Sequence, residues 1–382
     1  MGLFEAIAST QLQERETHVN RKSLRTMAAT TAGAALLFGL SACGAANEGD
    51  SGSDSDGGSS LSGTLNGAGA SSQQSAVNAW KQGFQTANAD VTVNYDAIGS
   101  GGGREQFIAG GVSFAGSDAF LDDEEVASAT ERCSSDIVTV PVYVSPVAVV
   151  YNLDGVEDLQ LSAKTLGAIF AGDITSWNDK AIAADNPDAE LPDSAITPVH
   201  RGDASGTTEN FTAYLDAASE GSWSHGEVEE WPVKGGEAAQ QTSGVIQAVS
   251  GGQGTIGYAD ASQAGELSTV AVKVGEDFVA PTPEAAAKVL DSATPVEGRA
   301  ETDMALEIDR TTDAAGVYPI VLVSYQIACQ EYEDAKEAEL VKEWLTYVAS
   351  ADGQAASADA AGSAPLSDDF SAKVQEAIDS IA

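Results

Sequence analysis

The chain is poor in basic residues, histidine and cysteine, and each shortage removes a class of function. Lys and Arg number 18 against 58 Asp and Glu, a net charge of −40, which argues against a surface for nucleic acid or anionic lipid. The three histidines (His18, His200, His225) and three cysteines form no spaced Cys/His pattern, so no metal and no cofactor is expected. The apolar run from Met27 to Leu40 falls short of the roughly 20 residues that a membrane span needs. Aromatics make up only 6%, yet 43% of the 382 residues are hydrophobic, enough for two cores of ordinary size.

What is present near the start is an export signal. Arg21, Lys22 and Arg25 form a basic region, Met27 to Leu40 a short apolar one, and Leu40-Ser41-Ala42-Cys43 a lipoprotein cleavage site, placing the signal at about residues 20–42. Cleavage before Cys43 would free its thiol for lipid and anchor the protein on the outer face of the cytoplasmic membrane. Residues 1–18 carry Glu5, Glu14 and Glu16, unlike a signal, so translation is expected to begin near Val19. Loss of residues 1–42 removes four basic and three acidic residues and leaves the mature chain at −41. Residues 43–62 are Gly, Ser and Asp with almost nothing apolar, a flexible tether whose reach is roughly 25 Å. In the oxidising compartment that export implies, Cys133 and Cys329 favour a disulfide, against the alternative of two separate buried thiols.

Beyond the tether, short apolar runs alternate with one-faced helical patterns. Val91 to Tyr95, Ile137 to Val150, Ala195 to His200, Gly254 to Tyr258 and Tyr318 to Ile327 read as strands. Gln73 to Phe84, with Val77, Trp80 and Phe84 on one stripe, and Thr207 to Leu215 read as helices, as do Tyr332 to Ala349 and Ser367 to Ile381. That alternation is an α/β pattern, and the length implies two α/β lobes with a cleft between them.

Three stretches share one grammar of strand, Gly and Ser, then helix. They are Gly67 to Ser72 ahead of the Gln73 helix, Gly99 to Gly103 ahead of a helix opening at Arg104, and Arg201 to Thr208 ahead of the helix carrying Phe211. Such junctions leave backbone N–H groups aimed along the positive end of a helix dipole, where an oxyanion satisfies them. One such loop is ordinarily a capped turn; three in one chain point to an anion site. The negative net charge does not forbid this, because a buried site is governed by dipoles and hydrogen bonds within a few ångströms. Arg201 can grip anion oxygens in a bidentate manner, with Asp203 holding its guanidinium, although a solvated surface pair is the ordinary reading. Asp118, after the run Val112 to Ser117, either caps the next segment or faces the anion. A carboxylate in the cleft accepts a proton that phosphate carries near neutral pH and sulfate lacks, so it would select phosphate.

At these residues the chain resembles the phosphate-binding component of the bacterial Pst-type ABC importer. The resemblance runs from about Leu61 to the C-terminus through Gly67-Ala68-Gly69-Ala70-Ser71, Ile98-Gly99-Ser100-Gly101-Gly102, Gly116-Ser117-Asp118 and Arg201-Gly202-Asp203-Ala204-Ser205-Gly206-Thr207. Thr165 to Phe170, Trp177-Asn178-Asp179 and Gly254 to Tyr258 are supporting stretches. It implies the two-lobed periplasmic-binding-protein fold of type II, with residues 63–142 plus 319–382 as lobe I and 143–318 as lobe II, and crossovers near Pro141 and Pro319. It implies phosphate contacts from Ser71, Ser72, Ser100, Asp118, Arg201, Ser205, Gly206 and Thr207, with Asp203 orienting the arginine. The chain departs from the family where Ser71 replaces a more usual Thr and Ser72 a Phe; Ser72 is expected to act mainly through its backbone. Cys133 and Cys329 would both lie in lobe I, next to the crossovers.

The implied function is that of an exported, monomeric carrier that captures inorganic phosphate and delivers it to a membrane permease. The alternatives are a binding protein for another oxyanion, such as sulfate or molybdate, and a secreted phosphatase or serine hydrolase. Against an enzyme, Gly202-Asp203-Ala204-Ser205-Gly206 does not fit the Gly-x-Ser-x-Gly spacing, and neither mature histidine is a clear base.

Overall fold

The computed structural model describes residues 61–382; the signal, Cys43 and all but the last two residues of the tether lie outside the described residues. The chain enters through β1 (Gly63–Gly69), α1 (Gln74–Ala87), β2 (Val91–Asp96), α2 (Ser100–Ile108), β3 (Phe114–Ser117) and α3 (Asp123–Cys133), then runs into the long strand β4 (Ile137–Asn152). β1 lies parallel between β2 and β3. The late strand Val321–Cys329 inserts antiparallel between β3 and β4, so both ends of the described chain build this half of the sheet.

β4 carries the sheet onward. Its first ten residues, Ile137 to Pro146, span the pairing with Val321–Cys329, and Val147 to Asn152 pair with Thr255–Asp260, which in turn lies parallel to Thr197–Arg201. Within the first of these pairings the register shifts between Ser324, opposite Tyr143, and Tyr325, opposite Pro141, which leaves Val142 as the extra residue. Every residue of β4 but the last is buried, the mark of a strand covered on both faces and the reason it reads as one apolar run.

Helices cover the sheet as their stripes predict. Val77, Trp80 and Phe84 of α1 are buried, Phe84 meets Trp344 edge-on at 5.5 Å, and the Trp80 indole donates to the carbonyl of Gly353 at 2.8 Å. The C-terminal region corrects the sequence reading. Its first helix begins at Ala335, capped by Asp334, and a further helix, Ala351–Ala361, precedes Asp368–Asp379. The middle helix buries Gly353, Gln354, Ser357 and Ala361, so it has no apolar period to read. A side chain at Gly353 would come within 2.0 Å of the Tyr347 carbonyl, which explains a glycine inside a helix.

Cys133, the last residue of α3, is bonded to Cys329, the last residue of the late strand, with Cα atoms 5.4 Å apart. Cys329 pairs with Ile137 at the far end of the ribbon from the Val321–Pro146 pair, so the bridge stands away from Pro319 rather than beside it.

Candidate functional site

The three Gly/Ser stretches converge, although two are built differently from the sequence reading. Gly67 and Gly69 belong to β1, and the first loop is only Ala70 to Gln73. Those glycines serve close packing: a Cβ at Gly69 would lie 1.9 Å from the Gly116 carbonyl oxygen on the neighbouring strand. In the second stretch α2 begins at Ser100, not Arg104, so Ser100 to Gly103 form its first turn and only Gly99 (φ 100°) is a true turn residue. In the third, Ser205 caps the helix Gly206–Ala218, accepting from the Thr208 N–H at 3.2 Å.

Ser71, Ser72, Ser100, Asp118, Arg201, Ser205 and Thr207 are each no more than 3% exposed, which makes the site an enclosed one. The two sides of the sheet meet at Gly206, where a Cβ would approach Ser100 Oγ to 2.8 Å and Asp118 Cβ to 2.9 Å. Only glycine permits that approach. At Gly99 a positive φ coincides with an Asp203 oxygen 2.7 Å from where a Cβ would sit.

Asp118 follows β3 and does not cap α3. That role belongs to Asp122, which accepts from the Glu125 N–H at 2.7 Å while the Glu125 carboxylate accepts from the Asp122 N–H. The Asp118 carboxylate instead accepts from Ser72 Oγ at 2.6 and 2.7 Å, Thr207 Oγ1 at 2.8 Å and Ser324 Oγ at 2.6 Å. Among the described residues no Lys or Arg bonds to it. Three hydroxyl hydrogens address about four lone-pair positions, so the carboxylate can accept one more proton donor. Burial, and then the charge of Asp118, push the Tyr95 phenol well above its ordinary range.

Arg201 lies beside Gly99, its Nη2 3.5 Å from where a Cβ there would sit. Its Nε donates to Asp203 Oδ1 at 2.8 Å and its Nη2 to Asp203 Oδ2, a fork that fixes the guanidinium plane. The Gln241 N–H adds a third donor to Asp203 at 3.1 Å. The Tyr258 hydroxyl accepts from the Arg201 N–H at 3.2 Å and meets Thr208 Oγ1 at 2.8 Å, which gives the Gly254 to Tyr258 stretch its role beneath the loop; burial pushes that phenol up to about 12.

Several participants escaped the sequence reading. The Ser72 hydroxyl donates to Asp118, a contact that the expectation of a mainly backbone role did not include. The helix Gln241–Gly251 also points its N-terminus here, with Thr242 donating its N–H to Ser71 Oγ at 3.0 Å and its hydroxyl 3.0 Å from the same atom. Gln240-Gln241 offers no Gly/Ser signal, so no pattern marked it. Gln263 donates to the carbonyls of Ser71 and Ser72, and Asn210 to the Asp118 carbonyl at 2.8 Å. Ser324 lies inside an apolar strand, where a lone serine carries no signal. Among the described residues no group of His, Cys, Asp and Glu is arranged to hold a metal ion, and no helix is long and apolar enough to cross a membrane.

Comparison with known proteins agrees with this architecture. A family model described as a PBP superfamily domain matches residues 54–352. Phosphate-binding protein PstS 3 of Mycobacterium tuberculosis (strain ATCC 25618 / H37Rv) is 37% identical over 325 residues, covering 84% of this chain and 87% of the relative. Phosphate-binding protein PstS of Xylella fastidiosa (strain Temecula1 / ATCC 700964) is 33% identical over 282 residues, 72% of this chain and 74% of its own. Among solved structures, a high-affinity periplasmic phosphate-binding protein (PfluDING) bound with phosphate superposes with a TM-score of 0.68 at 23% identity, covering 82% of this chain and 93% of that one. A putative phosphate ABC transporter substrate-binding protein from Clostridium perfringens with bound phosphate gives 0.56 at 18% identity, covering 78% of this chain and 98% of that one. These structures share the two-lobed α/β fold of type II periplasmic binding proteins. By identity and coverage together, the chain belongs to the PstS family of phosphate-binding proteins within the PBP superfamily.

Proposed function

We propose that this protein captures inorganic phosphate outside the cytoplasm and delivers it to the membrane permease of an ABC importer. The observation that carries the reading is Asp118, a buried carboxylate surrounded by hydroxyls, in a loop cluster that also holds the Asp203-fixed guanidinium of Arg201. Arg201 and the N–H groups at the starts of α1, α2 and the helix Gly206–Ala218 supply the donors for a tetrahedral anion. Asp118 then demands that the anion bring a proton, which phosphate does and sulfate does not. The family membership supports the same assignment, since the relatives named above are phosphate-binding proteins.

The contacts assigned to phosphate are Ser71, Ser72, Ser100, Asp118, Arg201, Ser205, Gly206 and Thr207. Residues 63–142 with 319–382 would form one lobe and 143–318 the other, closing over the anion about crossovers near Pro141 and Pro319. The permease would recognise the closed form. Lipid on Cys43 and the 43–62 tether would hold the monomeric carrier at the outer face of the membrane. It is a carrier and performs no chemistry on its ligand.

Equilibrium binding of phosphate and sulfate to the purified mature protein tests this. Strong preference for phosphate is expected. Equal affinity for the two anions, or preference for sulfate or molybdate, would overturn the role given to Asp118, and release of phosphate from a generic ester well above the buffer rate would overturn the carrier reading.

A further inference from the structure

We infer that a buried chain of hydrogen bonds, Trp344 to Gln326 to Gln73 to Ser324, ends on Asp118 and fixes that carboxylate as an acceptor. The inference rests on the phosphate reading and adds residues to it. All four side chains are fully buried. The Trp344 indole, which can only donate, meets Gln326 Oε1 at 3.5 Å, and Gln326 Nε2 donates to Gln73 Oε1 at 2.7 Å. Gln73 Nε2 donates to Ser324 Oγ and, at 3.0 Å, to the carbonyl of Tyr325. The second bond fixes the direction independently, because a carbonyl can only accept: the nitrogen end of Gln73 must face Ser324, and the oxygen end Gln326.

With an N–H directed at its oxygen, Ser324 has its own hydrogen free to give, and the 2.6 Å contact to Asp118 Oδ1 takes it in preference to the 3.3 Å contact to the Ser117 carbonyl. The chain therefore has a single sense, donor to acceptor, from an indole in the helix Ala335–Ala349 to the carboxylate at the end of β3. Gln73 immediately follows Ser72, whose hydroxyl also donates to Asp118. The departure from the family at position 72 thus sits beside a residue that supports the same carboxylate through another path. Ser324, Gln73 and Gln326 are positioning residues, and what they position is the discrimination between a protonated and a fully ionised anion.

Ser324→Ala removes the final donor. Asp118 Oδ1 then keeps only the Ser72 hydroxyl, and the carboxylate is held less firmly in the position where it accepts the proton of phosphate. Isothermal titration of the mature protein with phosphate and with sulfate should show phosphate affinity falling about tenfold while sulfate affinity holds or rises, with restoration by Ser324→Thr. Gln73→Met, which removes the directing N–H and leaves every hydroxyl on Asp118 in place, should move the ratio the same way by a smaller factor. If Ser324→Ala does not fold, Gln73→Met carries the test alone. A phosphate-to-sulfate ratio within twofold of wild type in the folded variants, whatever their melting temperatures, overturns the relay. A wild-type protein without phosphate preference overturns the phosphate reading itself, so the two failures are distinguishable.

Discussion

Asp118 and Asp203 are both aspartates at the site, yet they sit in opposite surroundings. Asp203 is held by the Arg201 guanidinium through both oxygens and by the Gln241 N–H. Its charge is answered, and its geometry is spent on orienting a cation. Asp118 is 3% exposed, and among the described residues its carboxylate accepts only from the neutral hydroxyls of Ser72, Thr207 and Ser324. Its charge is stabilised by hydrogen bonds and not neutralised, so it can still read a proton on a ligand. A count of charged residues cannot separate the two; the identity of the donor does. On the proposed reading one carboxylate would set how strongly an anion is gripped, and the other which anion.

Asp118→Asn should break this contrast most sharply. The amide substitutes a donor for the acceptor that phosphate's proton needs, so phosphate affinity should fall by about 100-fold, equivalent to about 3 kcal/mol, and preference over sulfate should collapse. Titration with both anions checks it; a retained preference would mean that selectivity resides elsewhere. Asp203→Asn should cost less and act differently. The Arg201 fork loses one of its two hydrogen bonds and the other becomes a bond to a neutral amide oxygen, so phosphate and sulfate should both weaken by about tenfold with their ratio unchanged. A change in ratio would show that the division of labour between the two aspartates is wrong.

Much of this was legible in the sequence because it rests on local chemistry. The α1 stripe of Val77, Trp80 and Phe84, the apolar run of β4, and the Arg201-Gly202-Asp203 and Ser205-Gly206-Thr207 pairings all announce themselves by period or spacing. The glycines stand out in the sequence but do not share one role: Gly206 and Gly99 allow close approach among the site loops, whereas Gly67 and Gly69 make room for Phe114 and Gly116 within the sheet. A side chain's absence looks the same in sequence whether ligand or protein fills the space. Thr242 and Ser324 lie 171 and 206 residues from their partners Ser71 and Asp118, a separation at which only topology brings groups together. Ala351–Ala361 was hidden because its buried face is small and polar.

A third carboxylate extends the comparison and offers the smallest effect. Glu209, in the first turn of the helix Gly206–Ala218, lies beside Glu229, which Arg104 bridges at 2.7 Å while also holding Glu125 at 2.9 Å. Burial first, then the charge of Glu229, raise Glu209 well above the ordinary carboxylate range, with Glu227 adding to the rise and Arg104 opposing it. Where Asp203 is answered by a cation and Asp118 by hydroxyls, Glu209 is answered by another acid and is held in its protonated form. Because its folded-state affinity for a proton exceeds the unfolded one, its contribution to stability is complete below the ordinary carboxylate range and is lost as pH rises above it. Glu209→Gln keeps the neutral shape without the titration. Denaturant unfolding should therefore show the variant gaining about 1 kcal/mol over wild type at pH 8 and nothing at pH 4, with phosphate selectivity untouched. A variant as pH-dependent as wild type would place the alkaline loss of stability on a group other than this acid pair.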